Sequence, residues 1–367
     1  MSMSVGFFKP LIPDLQKKGY EVVSLSSDGP ELEELRQISG CRVLTVEMER
    51  HIVPFKDLRA LWQLIQVFHK EKPYMVHSMT PKAGLLCMLA AWLCRVPRRV
   101  HTFTGLVWPT TTGFKRKILM ATDWLTCACA THVIPEGKGV MDDLKAYITN
   151  KPMRVLGHGN VKGVDMERFS RRQQVMDAAT TIRKSHLFTF IFVGRIVSDK
   201  GMNELMEAFV RLLDENQNIR LILVGNYEKN LDPLSPLSLD RIKETPQIED
   251  VGPKYGDELL AYYAASDCFV FPSYREGFPN TVLEAGAMGL PSIVTDINGS
   301  REIIENGKNG IIVQSKDADA LFVAMKNMME DQDAYRRMAE NARPMIASRF
   351  EQGFVRKCLY DFYDEII

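Results

Sequence analysis

The sequence of 367 residues lacks the features that would mark a membrane-spanning, secreted or zinc-binding protein. No apolar run is long enough to cross a bilayer, since Leu85–Leu93 is too short and predicts a buried helix. No signal-peptide pattern is present. Cys127-Ala-Cys129 has no second pair nearby to complete a zinc site, so we expect seven free thiols in a reducing cytosol. The formal net charge of +0 gives no general attraction to nucleic acid.

One segment lacks negative charge altogether, because no aspartate or glutamate occurs from Lys72 to Thr122. It contains Lys72, Lys82, Arg95, Arg98, Arg99, Lys115, Arg116 and Lys117, interleaved with Trp92, Phe103, Trp108, Phe114 and Leu119. A basic, aromatic-rich surface suits an anionic membrane face or a lipid-linked diphosphate. Nucleic acid is the competing partner, disfavoured by the neutral net charge. A basic helix face over an aromatic core is the plainer alternative, and for Trp92 we favour the core.

Both halves of the chain alternate short strands with helices. In the first half the pattern predicts strands at Glu21–Ser26, Cys41–Val46, Tyr74–His77, Arg99–Thr104 and Thr131–Ile134, and helices at Glu31–Ile38, Lys56–Lys70, Pro81–Cys94 and Lys115–Cys127. In the second half it predicts strands at Phe188–Val193, Arg220–Val224, Cys268–Phe271, Pro291–Thr295 and Gly310–Val313, and helices at Met202–Asp214, Asp257–Ala265, Asn280–Met288 and Asp317–Glu330. This alternation predicts an α/β protein with two doubly wound, Rossmann-like parallel sheets. We expect the hinge between them near Gly157–Gly163.

The segment Arg275-Glu-Gly-Phe-Pro-Asn-Thr-Val-Leu-Glu284 is the most informative part of the sequence. It joins the predicted strand Cys268–Phe271 to the predicted helix Asn280–Met288, so its loop lies at the carboxyl end of a parallel strand, where open α/β sheets bind ligands. The helix N-terminus offers N–H groups and a positive dipole end to a phosphate. Glu276 and Glu284 flank this anion site, which suits carboxylates that accept hydrogen bonds from sugar hydroxyls.

Two cations are expected at the same sheet edge. Val193-Gly194-Arg195 ends one strand, and Asp199-Lys200-Gly201 opens the next helix. Arg195 and Lys200 could therefore hold a diphosphate and stabilise its charge as it leaves. The plainer alternative is a solvated Lys200 and an ion pair between Arg195 and Asp199.

The segment from Arg275 to Thr295 resembles the signature of the GT-B-fold glycosyltransferases of family 4, which have two glutamates at the spacing of Glu276 and Glu284. The resemblance implies two domains facing across a cleft, with residues 1–163 binding the acceptor and residues 164–351 the nucleotide-sugar donor. A terminal helix at residues 352–367 would cross back to the first domain.

The resemblance also assigns roles at the donor site. Glu276, Arg195 and Lys200 would be catalytic, with Glu276 facing the transferred sugar and the two cations facing the diphosphate. Glu284 would hold the ribose, and the loop at Val251 the base. The remaining donor contacts would be Gly194, Gly277, Phe278, Pro279 and Asn280.

The segments His77–Gly84, Val100–Gly105 and Gly159–Asp165 resemble a subgroup of family 4 that extends polyprenyl-diphosphate-linked sugars in capsule, O-antigen or protein-glycan assembly. On this basis the acceptor side would include Gly6, His77, Lys82, Thr104 and Gly105. Many members have a histidine where this chain has Thr104, so a histidine contact to the sugar is not assumed. His77 is a cleft candidate, and a core histidine is an equally good interpretation.

The sequence therefore predicts a retaining hexosyltransferase that moves a sugar, expected to be an amino sugar, from a UDP donor to a polyprenyl-diphosphate-linked acceptor. We expect no metal or other cofactor, because Arg195, Lys200 and the helix dipole already supply positive charge. Asp317-Ala-Asp319 has the spacing of a metal motif, but it opens a helix and is typical of a helix cap. The enzyme would work on the inner face of the bacterial cytoplasmic membrane and bind it through residues 72–122. The alternatives are a sugar-nucleotide 2-epimerase and a non-catalytic sugar-nucleotide-binding protein.

The start of the sequence raises a separate hypothesis. Phe7–Lys18 predicts the first helix, which leaves Met1–Gly6 for both an opening strand and its loop. A doubly wound sheet places that strand at its centre. We therefore expect an internal or truncated start, with a gap or a shortened strand at the centre of the first sheet.

Overall fold

The computed structural model describes residues 9–38, 41–48, 53–228 and 232–367. Their contacts form two units: one contains residues up to Lys162 together with Val355–Ile367, and the other is Gly163–Phe354. Gly6 and the opening strand expected at Met1–Gly6 lie outside the described residues. Along the described ranges, no helix combines the length and apolar character needed to cross a membrane.

The described residues of the first unit form five parallel strands in two sheets. The strands are β1 Val23–Ser26, β2 Arg42–Thr45, β3 Met75–Met79, β4 Arg98–Phe103 and β5 His132–Pro135. The helices are α1 Ile12–Lys17, α2 Pro30–Arg36, α3 Pro54–Glu71, α4 Pro81–Leu93, α5 Gly113–Cys129, α6 Lys138–Tyr147 and, near the end of the chain, α15 Gln352–Ile366. Among the described strands, β1 pairs with β2, and β4 lies between β3 and β5. A cavity of about 620 Å³ lies between β1 and β3 and is lined by both strands.

Helices cover both faces of the sheet β3–β4–β5. On one face α3, α4 and α5 pack side by side. On the other face Leu359 and Phe362 of α15 pack with Val100 of β4. Because successive strand residues point to opposite faces, His101 lies under α4, where a Cβ at Gly84 would come within 2.1 Å of its ring. The backbone of α4 therefore approaches the sheet at a distance that only glycine permits.

Replacing Gly84 with alanine should destabilise the first unit by about 1–3 kcal/mol, the usual cost of overpacking a core. The expected result is a lower unfolding temperature in scanning calorimetry of the full chain. The control is the same substitution in a His101→Ala background, where the ring is gone and the added methyl group has room. If Gly84→Ala costs the same in both backgrounds, the contact with His101 does not set the packing distance of α4.

In the second unit, the part of the chain that the structure describes forms one parallel sheet of six strands. The strands are β6 Phe188–Val193, β7 Ile219–Val224, β8 Ile248–Asp250, β9 Cys268–Phe271, β10 Ser292–Thr295 and β11 Gly310–Val313. The helices are α7 Gln173–Ile182, α8 Met202–Glu215, α9 Pro236–Glu244, α10 Gly256–Ala264, α11 Asn280–Ala287, α12 Ser300–Ile303, α13 Ala318–Glu330 and α14 Gln332–Phe350. The spatial order is β11-β10-β9-β6-β7-β8. The chain continues from β6 to β7 on one side and from β9 to β10 on the other, so the strand order reverses between β6 and β9.

The sequence pattern predicted the five longer strands of this sheet to within one residue. It missed β8, whose three residues Ile248-Glu-Asp250 are mostly charged. It also missed the polar helix α14, which has Pro344 in its interior. The predicted helix cap at Asp317 is confirmed, since its Oδ1 accepts a hydrogen bond from the N–H of Ala320 at 2.8 Å.

Candidate functional site

The candidate donor site lies where the strand order of the second unit reverses. The neighbouring strands β6 and β9 end at Val193 and Phe271, and the loops that follow leave in opposite directions along the sheet. Open α/β sheets bind ligands in the crevice that forms at such a point. The sequence places Lys200 after the first strand and Glu276 after the second, so both side chains belong to this crevice.

The structure brings Lys200 and Glu276 into direct contact. Lys200 Nζ forms an ion pair and hydrogen bond with Glu276 Oε1, and the two side chains are only 14% and 17% exposed. The buried Ser273 hydroxyl donates to the same Oε1 at 2.9 Å. Lys200 Nζ also lies 5.3 Å from the ring centroid of Phe271, within cation–π range. The Glu276 carboxylate is therefore held from both loops.

Two glycines allow the loops to approach this closely. Gly201 has a φ of +71°, and a Cβ there would lie 2.0 Å from the carbonyl oxygen of Pro272. Gly299 has a φ of +75°, and a Cβ there would lie 2.4 Å from the carbonyl oxygen of Gly277. Because these are contacts with backbone atoms, a side chain could not be accommodated by a change of rotamer.

The helix α11 directs its N-terminus toward the same crevice. It begins at Asn280, and the residue before it, Pro279, has no side-chain group that could cap it. Phe278 is 5% exposed and packs edge-to-face on Phe350, with ring centroids 5.4 Å apart, so the loop before the helix is anchored in the core. An N-terminus of this kind presents N–H groups and a partial positive charge to an anion.

Glu284 lies on α11, a little more than one turn after Asn280. The hydroxyl of the fully buried Tyr263 lies beside it, and burial together with the Glu284 charge raises the pKa of Tyr263. Tyr263 therefore remains a neutral phenol. This neighbour of Glu284 was not predicted from the sequence.

Arg195 has a different partner from the one considered in the sequence analysis. Its Nη1 lies 2.7 Å from Glu228 Oε2, and its side chain is 43% exposed. The alternative pairing with Asp199 is wrong, because Asp199 pairs with Arg275 at 2.8 Å. No recorded contact of the described residues joins Arg195 to Glu276. The two predicted cations therefore stand at one sheet edge with separate carboxylate partners.

The loop proposed for the base is held to the neighbouring strand. The N–H of Val251 donates to the carbonyl of Leu223 at 3.1 Å, and the N–H of Gly225 donates to the carbonyl of Gly252 at 3.1 Å. Gly225 also approaches Gly194, since a Cβ at Gly225 would lie 1.7 Å from the Gly194 carbonyl oxygen. The loops after β6, β7 and β8 are thus packed along one edge.

On the acceptor side, His77 is only partly exposed, lines the cavity between β1 and β3, and has partners on both ring nitrogens. The residue lies in the middle of β3 and not at its carboxyl end, because β3 continues to Met79. Its Nδ1 hydrogen bonds the Tyr363 hydroxyl of α15, and its Nε2 contacts Thr102 Oγ1 at 2.7 Å. Burial lowers the pKa of His77 to about 3, so the ring is neutral. These contacts make it a structural link between the sheet and α15.

The other acceptor-side residues are more widely distributed. Lys82, in the first turn of α4, pairs with Asp57 of α3 at 2.5 Å. Thr104 and Gly105 directly follow β4, and Gly105 has a φ of +132°. His101 is 1% exposed and contacts Ser78 Oγ at 2.8 Å, so it lies in the core. No recorded contact among the described residues brings Lys82 to Thr104 or Gly105.

The basic span separates into structural and exposed residues. Arg98 Nε donates to the carbonyl of Ile366, and Arg99 Nε donates to the carbonyl of Cys129 at 2.6 Å, so both are fastened to backbone. The core position favoured for Trp92 is wrong, because its side chain is 52% exposed at the end of α4. By contrast, Trp108 is 1% exposed and lies in the core, although it belongs to the aromatic set expected at the surface.

Comparisons with known proteins agree on one family. The sequence profile described as "Glycosyl transferases group 1" matches residues 179–345, and the profile described as "Glycosyl transferase 4-like domain" matches residues 8–159. The chain is 30% identical to the capsular polysaccharide biosynthesis glycosyltransferase CapM of Staphylococcus aureus, over 100% of this chain and 96% of that protein. This chain is a group 1 glycosyltransferase.

Other relatives have named lipid-linked substrates. The glycosyltransferase is 29% identical to the UDP-Gal:alpha-D-GlcNAc-diphosphoundecaprenol alpha-1,3-galactosyltransferase of Escherichia coli, over 82% of this chain and 78% of that one. It is 24% identical to the N,N'-diacetylbacillosaminyl-diphospho-undecaprenol alpha-1,3-N-acetylgalactosaminyltransferase of Campylobacter jejuni, over 98% of this chain and 95% of that one. Family membership sets aside the epimerase and the non-catalytic binding protein considered in the sequence analysis.

The solved structures show the same fold. HepE of Anabaena in complex with UDP-glucose superimposes with a TM-score of 0.77 and 18% identity, over 93% of this chain and 91% of that one. A sucrose-phosphate synthase from Thermosynechococcus elongatus gives a TM-score of 0.76 and 18% identity, over 96% of this chain and 90% of that one. The predicted GT-B class, with two Rossmann-like α/β domains, is confirmed.

Besides Tyr263, two polar residues of the candidate donor site were not predicted from the sequence. Ser273 could have been found, because it lies two residues after the end of β9 and three before Glu276, at a ligand-binding edge. Glu228 carries no such signal, since it lies 33 residues after Arg195 on another loop. The contact between Arg195 and Glu228 depends on the pairing of β6 with β7.

Gly201→Ala should weaken donor binding by the glycosyltransferase more than it lowers the stability of the fold. The new methyl group would meet the Pro272 carbonyl oxygen and move Lys200 away from Glu276, so we expect at least ~10-fold weaker nucleotide-sugar binding in calorimetric titration. Gly307→Ala is the matched control, because Gly307 has a φ of +76° with nothing within 4 Å of a Cβ. Equal losses in the two variants would mean that backbone strain alone, and not the contact with Pro272, explains the effect.

Proposed function

We propose that this glycosyltransferase transfers an amino sugar from UDP to a polyprenyl-diphosphate-linked sugar, with retention of configuration at the anomeric carbon. The observation that carries the proposal is the contact between Lys200 and Glu276 at the strand-order reversal, beside the N-terminus of α11. One cation and one helix dipole suit a diphosphate. The Glu276 carboxylate beside them is suited to accept a hydrogen bond from a sugar hydroxyl.

In this proposal the donor diphosphate lies against Lys200, Arg195 and the first N–H groups of α11. Both recorded contacts of Glu276 use Oε1, and Oε2 would accept a hydrogen bond from the transferred sugar. Glu284 would hold the ribose hydroxyls, and the Val251 loop the base. Support for a UDP donor comes from the HepE complex with UDP-glucose and from the UDP-Gal-dependent relative of Escherichia coli.

The proposed reaction is a substitution on one face of the sugar. The bond between the anomeric carbon and the diphosphate oxygen breaks, and the acceptor hydroxyl oxygen bonds to that carbon from the same face. The acceptor proton passes to the leaving diphosphate oxygen, so the protein supplies no base. Lys200 and Arg195 stabilise the negative charge that collects on the diphosphate.

Removing a charged residue of the donor site should slow the reaction strongly. Glu276→Ala, Lys200→Ala and Arg195→Ala are each expected to lower kcat by at least ~10²-fold, the scale for loss of a preorganised charge-stabilising group. The measurement is transfer of radiolabelled sugar to a synthetic polyprenyl-diphosphate sugar.

Lys184→Ala is the matched control for Arg195→Ala, because Lys184 pairs with Glu249 on the surface of the same unit at 2.5 Å and is 49% exposed, against 43% for Arg195. This variant should keep full activity, as expected for an exposed ion pair. Near-wild-type turnover in an Arg195→Ala/Lys200→Ala double variant would contradict the diphosphate assignment.

We also propose that catalysis requires no divalent metal. Lys200, Arg195 and the α11 N-terminus supply positive charge where the diphosphate would lie. Among the described residues, no group of three or more histidine, cysteine, aspartate or glutamate side chains is placed to hold a metal ion. The Asp317-Ala-Asp319 segment is used as a helix cap, as Asp317 accepts the Ala320 N–H.

Chelation should therefore leave most activity in place. We expect the initial rate in EDTA to stay within ~2-fold of the untreated rate, because the leaving charge is stabilised by fixed cations and dipoles. Adding magnesium or manganese afterwards should change little. Complete loss in EDTA, reversed by either ion, would show that a metal takes part.

The acceptor is proposed to be presented at the inner face of the cytoplasmic membrane. Relatives that act on diphosphoundecaprenol-linked sugars support a membrane-linked acceptor. Within the basic span, the exposed Lys115 and Lys117 are the residues proposed to meet anionic lipid. Arg98 and Arg99 are excluded from that role because they hold backbone carbonyls.

A further inference from the structure

An exposed apolar stripe runs along α3, outside the basic span. Phe55, Leu58 and Trp62 are 89%, 64% and 59% exposed. Their spacing of three and four residues places them on one face of the helix. The opposite face, with Leu64 and Phe68, packs into the core. The stripe is therefore not the product of a poorly buried helix, since α3 already has a complete core face.

A second exposed apolar patch lies on α5. Phe114 is 77% exposed and Ile118 is 41% exposed, four residues apart on one face. Helices α3 and α5 both pack against α4, within one layer. The pair Asp57–Lys82 joins the first turns of α3 and α4. Because helices that follow parallel strands run in the same direction, the first turns of all three lie toward the carboxyl ends of the strands.

The exposed charged side chains of α3 and α5 are positive. Residues 54–122 include eleven lysines and arginines and only two carboxylates, Asp57 and Glu71. Both carboxylates are in ion pairs, Asp57 with Lys82 and Glu71 with Arg42. Arg59, Lys115 and Lys117 are exposed beside the apolar side chains. The net charge of this surface is therefore positive.

We infer that the stripe Phe55–Leu58–Trp62, together with Phe114 and Ile118, enters the interfacial region of an anionic bilayer. Large apolar side chains surrounded by cations match a surface with acyl chains below and negative headgroups above. A second copy of the chain fits less well. A two-fold interface would place this positive surface against itself, which like-charge repulsion opposes.

This inference rests on the proposed membrane-linked acceptor. It adds the apolar stripe of α3 as the part of the surface that would make membrane binding resistant to salt. Cations alone give attraction that salt removes within a Debye length. Burial of apolar side chains does not depend on ionic strength in this way. The wild-type protein should therefore keep a fraction of its vesicle binding at high salt, and that fraction should depend on α3.

The test is flotation of the full chain with vesicles of phosphatidylcholine and phosphatidylglycerol, at low and high salt. Phe55→Ser/Leu58→Ser/Trp62→Ser should lower partitioning by at least ~10-fold at high salt, because it removes most of the apolar area. Lys115→Gln/Lys117→Gln should lower it mainly at low salt. The matched control is Leu237→Ser/Tyr255→Ser/Val323→Ser, which changes three exposed apolar residues of the second unit and should bind as wild type.

Two outcomes would overturn the inference. One is high-salt binding of the α3 triple variant equal to that of the control. The other is a wild-type dimer in sedimentation that the triple variant converts to a monomer without losing vesicle binding, which would assign the stripe to self-association. The triple variant should still transfer sugar to a short-chain acceptor in solution. If the wild type fails that reaction but binds vesicles through α3, the proposed function fails while the docking surface stands.

Discussion

The candidate donor site depends on the parallel pairing of β6 with β9. That pairing sets Phe190 opposite Cys268 and Ile191 opposite Phe269, so the loops that follow the two strands start side by side. Lys200 and Glu276 are 76 residues apart in sequence and meet only because of it. An ion pair this little exposed contributes modest net stability, since desolvation offsets most of the Coulomb attraction. Its value lies in fixing two opposite charges at the edge where a ligand binds.

The surrounding residues keep that geometry from relaxing. Ser273 holds the Glu276 oxygen, Gly201 lets the first loop touch the Pro272 carbonyl, and Gly299 does the same beneath Gly277. At the two glycines no side chain intervenes, so backbone meets backbone. Preorganised charge is effective in catalysis because it needs no rearrangement when charge develops on the substrate.

The first unit uses charge in a different way. Its two carboxylates between residues 54 and 122 form ion pairs with Lys82 and Arg42. Its exposed cations lie beside exposed aromatic and aliphatic side chains. Two arginines of β4 stabilise the fold, since Arg98 and Arg99 donate hydrogen bonds to backbone carbonyls at the ends of other elements. A charge count along the sequence cannot separate these roles, because it does not register which side chains are occupied by backbone acceptors.

The sequence by itself determined the alternation of strands and helices, the parallel sheets and the glutamate loop, because period, length and turn residues are local properties. It also placed Lys200 and Glu276 at one sheet edge, since every parallel strand ends there. Only the tertiary structure decided that these two residues touch, that Arg195 turns to Glu228, and that His77 links β3 to Tyr363. It also decided that Trp92 is exposed and Trp108 buried. The physical reason is that partners and burial follow from strand order and helix packing, which join residues far apart in the chain.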